Sequence, residues 1–140
     1  MKRSVIDASG LILGRMASIV AKRLLEGEQI EIVNAEKAVV SGKRLRVIER
    51  YKEFLEVGGQ GRGPIHWRRP DRIVRKTIRG MLPYRQWRGK RALKRLRVHI
   101  GVPEELQDVE KETIPEAHVN RLRGPYVTVG EIAESIGWRR

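Results

Sequence analysis

Apolar positions in the first part of the chain recur with two periods, one of about two residues and one of about 3.6. Short apolar runs with strand periodicity predict strands at 4–8, 29–33 and 38–40. Helical spacing predicts one helix over 14–25 and another over 45–55. The order strand–helix–strand–strand–helix is typical of an α/β domain with a largely parallel sheet.

Two more amphipathic helices are predicted in the middle of the chain. The first begins near Arg72 and ends at Gly80 and Pro83. Its buried face is predicted to hold four apolar residues, Val74, Ile78, Met81 and Leu82. The second lies around 90–97 and is predicted to turn three apolar residues to the core, Ala92, Leu93 and Leu96. A strand at 98–100 follows, which brings the predicted strands to four.

The last part of the chain contains one clear helix start. Thr128 and Glu131 fit a capping box, so a short helix is predicted from Thr128 to Gly137. Residues 104–118, in contrast, are acidic and interrupted by Pro115. We interpret that acidic segment as a surface excursion, which would keep this edge of the protein away from a polyanion.

The net charge of the chain, +13, lies in one block. Residues 62–97 contain 14 Lys and Arg and a single acid, Asp71, whereas the other 104 residues contain 16 basic and 16 acidic side chains. Solvated surfaces normally relieve repulsion between neighbouring like charges with interleaved Glu and Asp. A block without that relief indicates a polyanionic partner, and nucleic acid is the commonest one. A solvated surface is the alternative interpretation.

Every basic side chain of this block is a predicted RNA-binding residue. Arg outnumbers Lys by 11 to 3. Because a guanidinium group binds phosphate through two hydrogen bonds and stacks on bases, this preference favours a surface of fixed shape over a loose coating of charge. The predicted set is Arg62, Arg68, Arg69, Arg72, Arg75, Lys76, Arg79, Arg85, Arg88, Lys90, Arg91, Lys94, Arg95 and Arg97.

Three aromatic residues, Trp67, Tyr84 and Trp87, lie within the basic block. Aromatic rings interleaved with Arg can stack on the unpaired bases of folded RNA. They can equally anchor helices to the core. We favour the core interpretation, since no RNA-recognition aromatic motif surrounds them. The glycine-rich segment 58–64, which precedes them, is interpreted as a loop that lets the backbone approach RNA closely.

The sequence offers little for catalysis or for a bound metal. The chain has no cysteine, so thiolate nucleophiles and Cys-type zinc sites are excluded. His66, His99 and His118 lack the spacing of metal ligands and are interpreted as packing or hydrogen-bonding residues. No window of the chain approaches 18 apolar residues, so no membrane span is predicted.

One enzymatic alternative stays open at this stage. The turn between Asp7 and Arg15 joins a strand to a helix, where a dinucleotide binds in a Rossmann unit. Gly10 and Gly14, however, do not have the Gly-x-Gly-x-x-Gly spacing. A nucleotide-dependent enzyme that uses this turn is therefore the alternative function. Our first interpretation has no cofactor, no metal and no small-molecule substrate.

Several motifs in register give the chain a family resemblance. The segments 6–8 and 13–18, followed by 33–42, resemble the opening of the large-subunit ribosomal protein family numbered thirteen. Residues 78–83, with the basic run after them and Gly-Val-Pro at 101–103, resemble its central signature. The chain lacks motifs of the bacterial members and the C-terminal extension of the eukaryotic ones, so it resembles the archaeal type.

The resemblance carries expectations for the whole chain. It implies one domain over residues 1–140, with a three-layer α/β/α fold around a small, mainly parallel four-stranded sheet and a basic helical insertion. It implies a structural constituent of the large ribosomal subunit that binds large-subunit ribosomal RNA, supports subunit assembly and is not an enzyme. The expected partners are that RNA and neighbouring ribosomal proteins, and the expected location is the cytoplasm.

Overall fold

The computed structural model describes residues 2–56 and 68–139, with 54–56 described by their backbone alone. The strands are β1 Arg3–Asp7, β2 Gln29–Val33, β3 Val39–Ser41, β4 Leu96–Val98 and β5 Tyr126–Thr128. The helices are α1 Leu13–Leu25, α2 Arg44–Glu56, α3 Pro70–Gly80, α4 Trp87–Lys94 and α5 Val129–Ser135. Single turns of 3-10 helix lie at Ala35–Lys37, Glu104–Leu106, Pro115–Ala117 and Val119–Arg121. The chain is thus a mixed α/β protein, as expected.

A three-stranded parallel sheet in the order β1-β2-β4 carries the main core. Ile6, Ile32 and Val98 lie side by side in its register. Ile6 and Ile32 are fully buried, in one cluster with apolar side chains of α1, α3 and α4. The β1–α1–β2 connection follows from the pattern of the sequence, since an amphipathic helix between two parallel strands packs back on their sheet.

The expected four-stranded sheet is not confirmed. The third predicted strand becomes β3, which pairs antiparallel with β5 in a separate two-stranded sheet. The chain leaves β2 through Asn34, whose φ of 57° is left-handed, and through the 3-10 turn Ala35–Lys37. Both edges of β2 are already paired, with β1 and β4, so β3 does not join the main sheet. The strand predicted at 98–100 is present but lies two residues earlier, as β4.

Helices cover one face of the main sheet, and the second helical layer of the expected α/β/α arrangement is not confirmed in the described residues. On the opposite face, Val5 and Glu31 line a cleft of about 580 Å³ together with residues of the acidic segment. That segment also joins the sheet edge, because Asp7 N–H donates to the Glu112 carbonyl at 3.0 Å and Glu112 N–H donates to the Val5 carbonyl at 2.9 Å. Part of the predicted surface excursion is therefore built into the fold.

Most of the predicted helical faces are confirmed, with three exceptions. The helix predicted around 90–97 is α4, which begins earlier and ends at Lys94, so Leu96 is buried in β4 and not on a helical face. Leu82 is buried as expected, but Met81 is 43% exposed and does not belong to the buried face of α3.

In α2, the helical spacing predicts a buried stripe of Leu45, Ile48, Tyr51 and Leu55. Ile48 is buried, but Leu45 is 74% exposed and Val47 is buried in its place. The side chain of Leu55 lies outside the described residues. The start of α5 is confirmed, since Glu131 N–H donates to the Thr128 hydroxyl at 3.2 Å.

Candidate nucleic-acid interface

Apolar residues on one side of helix α3 anchor it to the core, and its basic residues lie on the opposite side. Ile73, Val74 and Ile78 are buried, and the helix packs against α1. Pro70 occupies the first turn, where its missing N–H costs no helical hydrogen bond. The basic residues recur every three or four positions on the side opposite the buried one. The helical period that buries the apolar side chains therefore turns the basic side chains towards the surface.

Helix α4 approaches the turn after α3 very closely at Gly89. A Cβ atom at this position would lie 2.0 Å from the Pro83 carbonyl oxygen and 2.8 Å from the Tyr84 nitrogen. No side chain fits at that distance, so the glycine is required for helix α4 to lie against the turn. This contact fixes the basic side chains of α4 next to those of α3.

The structure describes 13 of the 14 predicted RNA-binding residues, and Arg62 lies outside the described residues. Two of the 13, Arg75 and Arg95, are half-buried. The other eleven are exposed: Arg68, Arg69, Arg72, Lys76, Arg79, Arg85, Arg88, Lys90, Arg91, Lys94 and Arg97. Ten of these eleven lie on or next to helices α3 and α4, and we call those ten side chains the basic face. The eleventh, Arg97, lies in β4 and is paired with Glu31 in the register, so it belongs to the opposite face of the sheet.

The two half-buried arginines line the surface and also donate hydrogen bonds to backbone carbonyls of neighbouring elements. Arg75 donates from Nη1 to the Leu96 carbonyl at 3.1 Å, and Arg95 donates from Nη2 to the Leu24 carbonyl at 2.6 Å. Burial lowers the pKa of Arg75, and the neighbouring cations Arg72 and Arg79 lower it further. The second effect reflects the dense positive field between these side chains.

A cleft of about 320 Å³ lies between α3 and α4 and is surrounded by cations. We call it the α3–α4 cleft. None of its lining residues is acidic; they are Arg72, Arg75, Lys76, Arg79, Tyr84, Lys90 and Leu93. The only acid of the basic block, Asp71, lies beside Arg69, with Nε and Oδ1 3.3 Å apart. The concave surface therefore suits a bound anion, because several donors converge on one space.

One aromatic residue of the block, Trp87, does not lie where we expected. Trp87 is 74% exposed and Tyr84 is 37% exposed, so the core-anchor interpretation is wrong for Trp87. Arg79 Cζ lies 4.6 Å from the centroid of the Tyr84 ring, and Lys90 Nζ lies 5.7 Å from that of Trp87. Both rings thus take part in the charged surface. Trp67, His66 and the predicted loop at 58–64 lie outside the described residues.

The first strand–helix turn is closed by protein backbone. Ile12 N–H donates to the Ala117 carbonyl at 2.7 Å, and Val119 N–H donates to the Gly10 carbonyl at 2.7 Å. Leu11 is fully buried in this turn. A nucleotide phosphate would need those amides and that space. The turn therefore gives no support to the nucleotide-dependent alternative.

The histidines that the structure describes make hydrogen bonds, as expected. His99 Nε2 lies 3.1 Å from Glu31 Oε1, and His118 Nδ1 accepts from Asn120 N–H at 3.2 Å. Within residues 2–56 and 68–139, no cluster of acidic or histidine side chains could hold a metal ion. No helix in those ranges is both long and apolar enough to cross a bilayer.

An α/β core that holds a concave, arginine-rich surface in a fixed position is typical of a structural RNA-binding protein. Comparison with known proteins is more specific, and it confirms the family resemblance. The family model of ribosomal protein L13 matches residues 1–105. The chain belongs to this family, and it is accordingly a structural constituent of the large ribosomal subunit and not an enzyme.

Three curated relatives, all from archaea, agree with this family along nearly the whole chain. The large ribosomal subunit protein uL13 of Methanosarcina barkeri is 52% identical over 136 residues, which is 96% of this chain and 97% of the relative. The protein of the same name from Archaeoglobus fulgidus is 51% identical, covering 97% of this chain and 88% of the relative. That of Aeropyrum pernix is 44% identical, covering 96% and 90%.

Proposed function

We propose that the chain binds large-subunit ribosomal RNA through the basic face and the α3–α4 cleft beside it, and that this contact supports subunit assembly. The observation that carries the proposal is the cleft, where five cations and no carboxylate line one concavity. Cations on the protein displace condensed counterions from RNA phosphates, and this release supplies much of the binding free energy.

The rigid core decides where those cations point. Arg75 and Arg95 bond to backbone carbonyls of β4 and α1, so two charges of the block cannot move freely. Gly89 allows α4 to lie directly against the turn at Pro83 and Tyr84. A surface fixed in this way loses little conformational entropy on binding and can select an RNA of matching shape.

We also propose a domain organisation, a set of partners and a location for the chain. Residues 1–140 form one domain, supported by a cluster of buried side chains that runs from Ile6 in β1 to Ile136 after α5 and by a smaller cluster around Val47. Val40 and Tyr51 pack against both clusters. The partners are large-subunit ribosomal RNA and neighbouring proteins of the subunit, and the location is the cytoplasm. The relatives from three archaea are named as large ribosomal subunit proteins, which supports this placement.

Salt dependence of RNA binding tests the proposal. About eight phosphate contacts give a slope of log affinity against log salt of about −6 to −7. The probe is deproteinised large-subunit ribosomal RNA, with small-subunit RNA as competitor. We expect the quadruple variant Arg72→Gln, Arg79→Gln, Lys90→Gln and Arg91→Gln to flatten the slope by about 3 and to lose most of the affinity.

A second quadruple variant separates the basic face from net charge. It replaces four exposed cations elsewhere, Arg46, Arg50, Lys52 and Arg123, with Gln. Both variants lose the same charge, so the proposal requires the first to lose far more affinity than the second. Equal losses would show that only overall charge matters and would contradict the assignment of the basic face, as would affinity within twofold of wild type in the first variant.

A further inference from the structure

We propose that Trp87 is a stacking platform for an unpaired RNA base, an inference that rests on the proposed function and makes it more specific. The ring lies at the start of α4 and is 74% exposed. It borders a cleft of about 530 Å³, which we call the Trp87 cleft. The other lining residues of this cleft are Leu25, Arg88, Arg91 and Arg95.

The packing of the core does not require a tryptophan at position 87. A side chain that keeps three quarters of its surface in water contributes little burial to the core, although tryptophan offers one of the largest apolar surfaces. An exposed aromatic ring of this kind is typical of a binding site. Trp87 therefore has surface available for a ligand that the fold does not use.

The charges around the ring identify RNA as the occupant. Three of the five residues lining the Trp87 cleft are arginines, and Lys90 Nζ lies 5.7 Å from the ring centroid. An apolar protein segment would leave these cations desolvated and unpaired, at a large cost. A nucleotide satisfies both parts of the site, because its base presents a π face to the indole and its phosphates pair with the guanidinium groups.

The ligand has to be an unpaired nucleotide. In an A-form duplex the base faces are stacked on each other and are not accessible to a side chain. Trp87 and Arg91 are one helical turn apart, so ring and cation lie on the same side of α4. This spacing suits a base turned out of its stack with its own phosphate close by. Tyr84 is a poorer platform, because its ring is half as exposed and Arg79 lies over it.

Fluorescence tests the stacking directly. The full chain is titrated with a single-stranded oligoadenylate of about 12 nucleotides, with an abasic strand of the same length and charge, and with an RNA duplex. We expect oligoadenylate to quench an emission component that is absent from Trp87→Phe, and the abasic strand and the duplex to leave that component unchanged. Quenching of wild type that is identical in Trp87→Phe overturns the proposal.

Affinity provides the second readout. Trp87→Ala should weaken oligoadenylate binding by about 5- to 150-fold without changing the salt slope, and should leave binding of the abasic strand unchanged. Trp87→Phe should recover most of the loss. Tyr126→Ala is the matched control, because Tyr126 is 51% exposed on β5, outside the basic block, and its loss should have no effect. Thermal melts of the exposed-site variants check that each one folds.

The two proposals fail in different ways. Oligoadenylate binding with a steep salt slope, combined with an affinity of Trp87→Ala within twofold of wild type, overturns the stacking role and leaves the basic face intact. A flat salt slope with ribosomal RNA overturns the proposed function and the stacking role with it. An equal loss of affinity for the abasic strand in Trp87→Ala also overturns stacking, because that strand has no base to stack.

Discussion

At the scale of single residues, the position of α4 depends on one missing side chain. Gly89 is buried, and its Cα faces the carbonyl of Pro83 across a distance that leaves no room for a methyl group. The obstructing atoms belong to the backbone, which cannot rotate away as a side chain could. The sequence alone shows only a Gly-Lys pair without the hydroxyl of a P-loop, so the packing role of Gly89 is visible only in the fold.

We predict that Gly89→Ala destabilises the protein by about 1–3 kcal/mol or more, because the methyl group forces α4 away from the turn. Gly14→Ala is the matched control, since Gly14 also lies in a helix but a Cβ added there would meet no described atom within 4 Å. The control should be neutral or more stable by about 0.5–1 kcal/mol. Urea unfolding measures both changes, and equal stability of the two variants would contradict the packing account.

Trp87 illustrates where residue-level prediction fails. Helical periodicity identifies the buried side of a helix from its middle, where Val74 and Ile78 of α3 are buried as expected. Near the ends of a helix the periodicity no longer shows which side chains are buried. Met81 follows the end of α3 and Trp87 begins α4, and both are exposed. An aromatic residue inside a basic block is ambiguous in sequence, because its two uses, core anchor and base platform, need the same residue type.

At the scale of elements, an ion-pair network ties helix α1 to the sheet and to the acidic segment. Arg23 Nε donates to Glu28 Oε1 at 3.0 Å, and Arg23 Nη2 donates to Glu112 Oε1 at 2.7 Å. The Ser4 hydroxyl also donates to the Glu28 carboxylate. The hydrogen bond from Arg23 is the main cause that lowers the pKa of Glu28, against the opposing effect of burial. Residues distant in sequence thus hold the edge of β1.

This network predicts a specific loss of stability in acid. A carboxylate whose pKa is lowered by folding stabilises the protein above its unfolded pKa, near 4.5 for Glu, and that contribution disappears as the pH falls through the folded pKa. Glu28→Gln should therefore cost about 1–3 kcal/mol at pH 7 and should make stability decline less steeply below about pH 4.5.

Unfolding in urea at several pH values checks this prediction. The control is Glu26→Gln, because Glu26 is an exposed carboxylate only two residues before Glu28. It should leave the pH profile close to that of wild type. If Glu28→Gln and wild type lost stability in parallel from about pH 7 to about pH 3, the network would not be the cause of the acid sensitivity.

Helices and strands can be predicted from the sequence where their periodic apolar pattern covers many residues. The 13 residues of α1 follow the predicted helix to within one residue, since its apolar stripe covers more than three turns. Strand β5 has only three residues and no alternation, and it was not predicted. The partner of β3 could not be inferred either, because pairing depends on the left-handed Asn34 turn, a conformation that the sequence only permits.

At the scale of the whole molecule, the sheet separates two opposite charges. Helices α3 and α4 lie on one face of it and carry the basic face outward, whereas Glu31 and the acidic segment lie at the other face. Of the predicted RNA-binding residues that the structure describes, Arg97 is the exception, because it is paired with Glu31 in the sheet. The sequence predicts both charged stretches as blocks along the chain. Their placement on opposite sides follows only from the topology. Strand β4, at the edge of the sheet, connects the end of the basic block to the acidic segment. The side that carries the basic face is the one that we propose for RNA.

Lysine footprinting in native large ribosomal subunits tests the central claim most directly. Lys76, Lys90 and Lys94 are exposed on the basic face, whereas Lys43 and Lys52 are exposed elsewhere. Acetylation read by mass spectrometry should find the first three protected in intact subunits, and treatment with ribonuclease should restore their reactivity to that of the free protein. Reactivity in intact subunits equal to that of the free protein at all three lysines would contradict the account.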